Sequence, residues 1–259
     1  MARLLVRLVG GGLSAALLAA PSIATPSAVA IVHHPRVAAK APSGGSIGAL
    51  GWASSNWSGY AVTGSGFTSA TGSWVVPTVS ATRKATYSSS WVGIDGFNNS
   101  NLIQTGTEQD WYSGRAHYAA WWEILPAAET VIPTITVHPG DQFSASVTSN
   151  GGGSWTIKIT DNSTGQSFTT VQGYSGPGTS AEWIQEAPTV GGRIAALAHY
   201  GQTVFDPGTV NGADPNLTAS EGGVMIQRNN QVSTPSNPDA DTDGFNVAYG
   251  SSQPAPPAS

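Results

Sequence analysis

Carboxylates, one strand amide and a set of tryptophans are the side chains through which this chain could do chemistry. The amide is Gln104, set in Leu102-Ile-Gln-Thr105. A polar side chain in an apolar strand costs free energy unless hydrogen-bonded, so Gln104 needs an assigned partner, whether a neighbouring backbone group or a functional one. The carboxylates fall in Trp91-Val-Gly-Ile-Asp95, in Trp121-Trp-Glu123 and in Ala181-Glu-Trp-Ile-Gln-Glu186. Alternate residues of a strand share a face. That rule groups Trp91, Gly93 and Asp95; Arg115, His117, Ala119, Trp121 and Glu123; and Glu182, Ile184 and Glu186. A face of Trp, Asp, Trp and Glu is too polar for a core and too aromatic for a plain solvent face. It suits a groove that holds an extended polymer, with an aromatic-rich sandwich surface as the bland alternative. Two glutamates on one side of a strand repel, which raises one carboxyl pKa.

Several other chemistries are excluded. The chain has no cysteine, so there is neither a disulfide framework nor a thiol nucleophile. There is no HExxH, and His33, His34, His117, His138 and His199 lack metal-ligand spacing. No G-x-S-x-G elbow is present. Asp241-Thr-Asp-Gly244 has the letters of an aspartic-peptidase signature but lies in a Pro/Asn/Asp-rich loop without an apolar flank.

The elements that must position these residues read as strands. Gly is 32 of 259 residues and charged residues are only 10%, a mixture that favours strands and turns over helices. Asn56 to Val62 alternates as a first strand, and Ser73 to Pro77 ends a second. Tyr87 to Thr105 forms a hairpin turning at Phe97-Asn-Asn-Ser-Asn101, followed by a long aromatic strand over Arg115–Leu125. Further strands are expected at 134–137, 143–147, 155–159, 167–171, 181–186, 202–205, 224–228 and 245–249. A dozen short strands without an amphipathic helix mean an all-β sandwich or jelly roll.

The ends differ from this body. Arg3 and Arg7, the apolar stretch Leu8 to Ala20 and the small-x-small Ala28-Val-Ala30 read as a cleaved export signal over 1–30. Residues 31–52 show no period and read as a linker or a short pro-segment. All 15 acidic residues lie beyond residue 90, whereas His33, His34, Arg36 and Lys40 sit in this leader. A basic leader on an acidic domain suits a cover for an acidic surface. Residues 53–250 form the main domain, and the Pro-rich 251–259 is expected to be disordered. Only six Lys and Arg remain beyond residue 52, which argues against a nucleic-acid partner.

Taken together, the segments Ser54-Ser-Asn-Trp-Ser-Gly59, Trp91-Val-Gly-Ile-Asp-Gly96, Leu102-Ile-Gln-Thr-Gly106, Tyr118-Ala-Ala-Trp-Trp-Glu123 and Ala181-Glu-Trp-Ile-Gln-Glu186 resemble the glutamic peptidases, or eqolisins. The resemblance runs in the family's order from about Ser54 to Tyr249. It implies a concanavalin A-like jelly roll of two antiparallel sheets and a secreted acid endopeptidase with a catalytic pair of Gln104 and Glu186. It also implies that Trp91, Asp95, Trp121 and Glu123 line the substrate cleft. Residues Thr107, Glu108 and Gln109 look like an insertion, which leaves the role of Asp110 open. The same resemblance implies a polypeptide substrate. No second long apolar run follows residue 30, so no membrane is expected for the mature form, and neither a cofactor nor a metal nor an oligomer beyond the monomer is expected. A Gln/Glu pair has the needed chemistry, since the carboxylate can take a proton from water and the amide can donate to a developing oxyanion. A glycoside hydrolase or a carbohydrate-binding module on the same fold is the alternative. It would use two of Asp95, Glu123, Glu182 and Glu186 and would not need Gln104.

Overall fold

In the computed structural model, residues 30–41 and 47–259 are described. The expected export signal therefore lies outside the described residues, apart from Ala30. The chain forms β1 (Ile31–Val32), β2 (Trp52–Ser54), β3 (Trp57–Thr63), β4 (Ser69–Val75), β5 (Ser89–Ile94) and β6 (Ile103–Tyr112). Then come β7 (Arg115–Ile124), β8 (Thr130–Val131), β9 (Gln142–Gly151), β10 (Ser154–Asp161), β11 (Ser167–Gly173) and β12 (Ser180–Glu186). The last third holds β13 (Thr189–Val190), β14 (Arg193–Ile194), β15 (Gln202–Val210), β16 (Gly222–Gln227), β17 (Asn230–Pro235) and β18 (Phe245–Tyr249). A single turn of 3-10 helix, Ala219–Glu221, is the helical element among the described residues.

The antiparallel ladder runs β11-β10-β9-β4-β15-β18-β17-β16-β3-β12-β5-β6-β7-β8 and folds back on itself into two layers. Strands β4, β9 and β10 of one layer pack on β5, β6 and β12 of the other. Alternation explains the division of side chains. Val92 and Ile94 of β5, Ile103 of β6 and Trp183 of β12 point inward and meet Trp74, Phe143 and Phe205 in the inter-layer core. Their neighbours Trp91 and Ile184, with Trp57 and Trp121, build a second apolar cluster on the opposite face. This is the two-sheet all-β sandwich that the strand pattern and the resemblance imply.

Three stretches differ from the sequence expectation. Residues 134–137 are irregular, because Pro133 and Pro139 interrupt the backbone donors a strand needs there. Nor is the stretch after Ala30 a free linker. Ile31 and Val32 pair with Val190 and Thr189, Arg36 donates its backbone N–H to Gly96, and Ala38 bridges Ser54. The Pro-rich tail is laid along the domain: Asn246 donates to Ala255, Gln253 donates to Pro235, and the Ala240 N–H donates to Ser259. Side chains of the tail itself (Gln253, Ser259) and of the domain (Asn246) supply contacts that a proline-rich backbone makes poorly.

Candidate active site

Register brings the chemically interesting residues onto one sheet face. Gln104 of β6 lies opposite Glu123 of β7 and Gly93 of β5, while Gly106 lies opposite Trp121 and Trp91. On the other side of β5, Trp91 faces Ile184 and Ser89 faces Glu186 of β12. Gln104 and Glu186 thus hang from strands separated only by β5. A glycine is required at 106 because a Cβ there would come within 2.3 Å of Ser90 O and 2.5 Å of Trp91 Cβ. Its absence lets the Trp91 ring reach Glu186, to whose Oε2 its indole N–H donates at 2.8 Å.

Strand β6 continues without a bulge through Glu108 and Asp110, so Thr107, Glu108 and Gln109 are ordinary strand residues. Alternation from Gln104 therefore carries Gly106, Glu108 and Asp110 onto the cleft face. Glu108 was missed in the reading of the sequence, although counting in twos from Gln104 would have found it. Asp110 is buried and accepts from the Ser88 N–H at 3.1 Å.

Asp95 departs from the alternation. It follows the last residue of β5 and has φ 72°, which turns its carboxylate away from the strand's face. There it accepts from Tyr174 Oη at 2.7 Å, from the Gly178 and Thr179 N–H groups at 2.9 and 2.8 Å, and from Asn99 Nδ2 at 3.0 Å. The structure commits Asp95 to organising the 174–179 loop.

The centre of the face is occupied by the chain's own His33, which is wholly buried. Its ring stacks on Trp121, with centroids 3.9 Å apart and planes 11° apart. Nδ1 lies 2.9 Å from Glu186 Oε2, and Nε2 lies 3.0 Å from Glu108 Oε1 and 3.3 Å from Glu129 Oε2. The backbone N–H groups of His33 and His34 donate to Glu123 Oε1 and Glu186 Oε1, both at 3.2 Å. Burial alone would lower the His33 pKa, but attraction to Glu186 and hydrogen bonds to Glu108, Glu129 and Glu186 outweigh it and hold the imidazole well above its ordinary value. Further along the segment, the Arg36 guanidinium sits 4.1 Å over the Phe97 ring, beside a groove of about 450 Å³ lined in part by Trp52, Ala61 and Thr63.

Four carboxyl groups here, those of Glu108, Asp110, Glu123 and Glu182, are shifted upward. Burial, with repulsion from Glu186, pushes Glu123 up to about 8 against the opposing pull of His33. Burial and Glu129 push Glu108 up to about 7. Burial followed by repulsion from Glu108 raises Asp110 well above the usual carboxylate range, and burial does the same to Glu182, whose two oxygens have no hydrogen-bond partner. Gln104 donates to Glu123 Oε2 at 2.7 Å, and its own Oε1 is buried without a partner. A fixed amide, a neutral carboxyl and a glutamate beside a bound peptide segment form a set able to polarise a carbonyl and move a proton.

Comparison with known proteins agrees with this arrangement. A sequence model of the Peptidase A4 family matches residues 55–249. Aspergillopepsin-2 of Aspergillus niger is 29% identical over 206 residues, 70% of this chain and 73% of the relative. Scytalidopepsin B of Scytalidium lignicola is 35% identical over 137 residues, 51% of each chain. The crystal structure of scytalido-glutamic peptidase with a transition state analog inhibitor superposes with a TM-score of 0.66 at 25% identity, covering 75% of this chain and 98% of that one. The family match spans the strands that carry Gln104, Glu123 and Glu186, and it decides between the peptidase and carbohydrate readings of the groove. The chain belongs to the peptidase A4 family of glutamic peptidases and is a peptide hydrolase.

Proposed function

We propose that Glu186 and Gln104 carry peptide hydrolysis in this chain, with Glu186 as base and then acid. Ionised Glu186 takes a proton from water as the water attacks the carbonyl carbon, and returns it to the leaving nitrogen. Gln104 stabilises the oxygen as it gains charge. With its carboxyl raised to about 8, Glu123 carries a proton in acid. Its O–H then donates to Gln104 Oε1, and the amide, turned about its last bond, directs its NH₂ into the cleft. Trp91 orients Glu186 through its indole N–H, while Trp121 and Glu108 offer a flat wall and a hydrogen-bonding carboxyl to a side chain of the peptide.

The observation that carries this reading is the position of residues 31–38, which lie across the face as a peptide substrate would, with His33 on Glu186 and Glu123. The same observation supports a pro-segment: the chain as synthesised is latent, and its leader fills its own cleft. Acid that removes charge from the carboxylates around His33 leaves an imidazolium buried without partners, which is costly enough to expel the segment. The signal-like stretch over 1–30 adds export, so the active form is a secreted acid endopeptidase.

Hydrolysis of casein by the acid-incubated chain and its Glu186→Gln variant, near the low pH where carboxylates begin to protonate (about pH 3–4), tests the reading. The parent should cleave and the variant should be slower by at least 10²-fold. Equal rates would remove Glu186 from the mechanism.

A further inference from the structure

Outside the cleft residues, the loop between β17 and β18 reads Asp239-Ala-Asp-Thr-Asp-Gly244. Acidic residues at the first, third and fifth positions and glycine at the sixth is the spacing of oxygen-lined calcium loops. Spacing alone is weak, but the side chains add an independent observation. Asp239 is 6% exposed, and its Oδ1 accepts from the Gly244 N–H at 3.2 Å. Its Oδ2 is buried with no hydrogen-bond partner, as is Oδ1 of Asp243. A third carboxylate, Asp206, comes from β15. One oxygen from each of Asp206, Asp239 and Asp243 lies within 4.8 Å of the others. A Cβ at position 244 would come within 2.5 Å of Asp239 Oδ2 and 2.9 Å of Asp206 Cγ, so the unpartnered oxygen and Asp206 face each other across the glycine. Among the described residues none of the three carboxylates forms an ion pair with a basic side chain.

Buried carboxylate oxygens without donors are expensive, and like charges this close repel. A cation relieves both costs at once. We propose that Asp206, Asp239 and Asp243 bind a calcium ion, with water and the exposed Asp241 completing its shell. The donor set is all oxygen, without histidine or cysteine, which selects a hard cation over zinc or copper. Size then selects calcium. Ligands about 2.3–2.6 Å from the ion can lie up to roughly 4.6–5.2 Å apart, which accommodates the observed spread. Magnesium, at about 2.0–2.1 Å, would draw the three oxygens closer together. The ion would join the β17–β18 loop to β15.

The test uses the full chain, stripped with EDTA at about pH 6.5, above the ordinary carboxylate range. Thermal melts and calorimetric titrations are run with CaCl₂ and, in parallel, MgCl₂. Calcium should bind with Kd on the order of 10⁻⁴–10⁻³ M, as in extracellular modules, and raise the melting temperature with its concentration. Asp239→Asn and Asp243→Asn should each weaken binding at least about tenfold and abolish the shift. In EDTA both variants should melt at or above the parent's temperature, because each removes one repelling charge; that result also shows that they fold. The proposal is overturned if about 10 mM calcium, ten times the weakest Kd expected, leaves the parent's melt and heat signal unmoved. Magnesium matching calcium in the parent, or a calcium shift that persists in both variants, overturns it equally.

Discussion

The side-chain amide of Gln104 donates to Glu123 Oε2 at 2.7 Å, and the Gln104 Oε1 it leaves behind is buried with no partner. An amide half satisfied beside a carboxyl raised to about 8 is a pair awaiting one proton. Glu123→Gln should keep acid activity within about tenfold, since its NH₂ can donate to Gln104 Oε1 as a protonated carboxyl does. It should also abolish the alkaline loss of kcat that follows Glu123 ionisation in the parent. Profiles of kcat against pH on a soluble peptide decide this: an unchanged alkaline limb in Glu123→Gln would show that Glu123 does not set the amide.

For the amide itself, Gln104→Ala should cost about 10²–10³-fold in kcat, the usual effect of losing one oxyanion donor. Gln104→Glu puts a carboxyl next to Glu123 and near Glu186. Carboxyls sharing a site resist joint ionisation, so activity should survive only toward lower pH than in the parent. Parent-like turnover by Gln104→Ala would sink the Gln/Glu mechanism.

His33 supplies the third prediction. Removing one member of a buried, charge-paired set shifts an equilibrium by about 3–5 kcal/mol. His33→Ala should therefore raise the activity of the unprocessed chain on a short peptide at least about tenfold near pH 6. Arg36→Ala, which loses cation–π contacts to Trp52 and Phe97 and hydrogen bonds to the Phe97 and Ala53 carbonyls at the cleft's rim, should raise it less than His33→Ala does. Unprocessed parent and His33→Ala chains with the same rate would mean that the segment does not block the cleft.

The shifted carboxyls also fix how stability depends on pH. Glu108, at about 7, and Glu123, at about 8, bind protons more tightly when folded than when unfolded, chiefly through burial, and Asp110 and Glu182 shift in the same direction. Their stabilising effect is complete below the unfolded value, about 4.3, and is lost as pH rises through 7 and 8. His33, raised as well, adds a contribution that is present below about 6.5 and lost as pH rises through its folded value. Urea midpoints should therefore fall from about pH 5 to pH 9 by an amount worth a few kcal/mol. A midpoint that rises over that range would contradict the burial of these groups.

A fifth prediction concerns packing. Gly106→Ala forces a methyl against Ser90 O and the Trp91 Cβ, both in the middle of a ladder. Overpacking of this kind costs about 1–3 kcal/mol, and more where backbone is struck. It should also displace the Trp91 N–H from Glu186, so kcat falls in molecules that are still folded. A variant with the parent's melting temperature and kcat would rule out the close approach.

Much of this face was legible because a strand's period of two is rigid. Counting from Trp91, Trp121 and Glu186 gave the right side of three separate strands, and register then placed those sides together. Asp95 shows where that rule stops: a single positive φ after Ile94 sends its carboxylate to the 174–179 loop. Glu108 is within reach of the same counting, two pairs of residues on from Gln104. His33 could not have been read as buried. It lies in a Pro/Ala/Gly-rich stretch without periodicity, and its partner Glu186 is 153 residues away. Such long-range pairings leave no trace in local pattern.

Strands β6, β5 and β12 each have a hydrogen-bonded neighbour on both edges. Gln104, Trp91 and Glu186 are therefore held by backbone whose N–H groups can meet deuterated solvent only when the ladder itself comes apart. Even Glu186, the last residue of β12, is paired on both sides, with Trp57 and with Ser89. Once the leader has left the cleft, the protein should thus have no folded but disarmed form in acid, and each molecule in a stressed population should be either fully competent or wholly unravelled. Residual activity should then count intact molecules, falling in step with the slowest-exchanging amides.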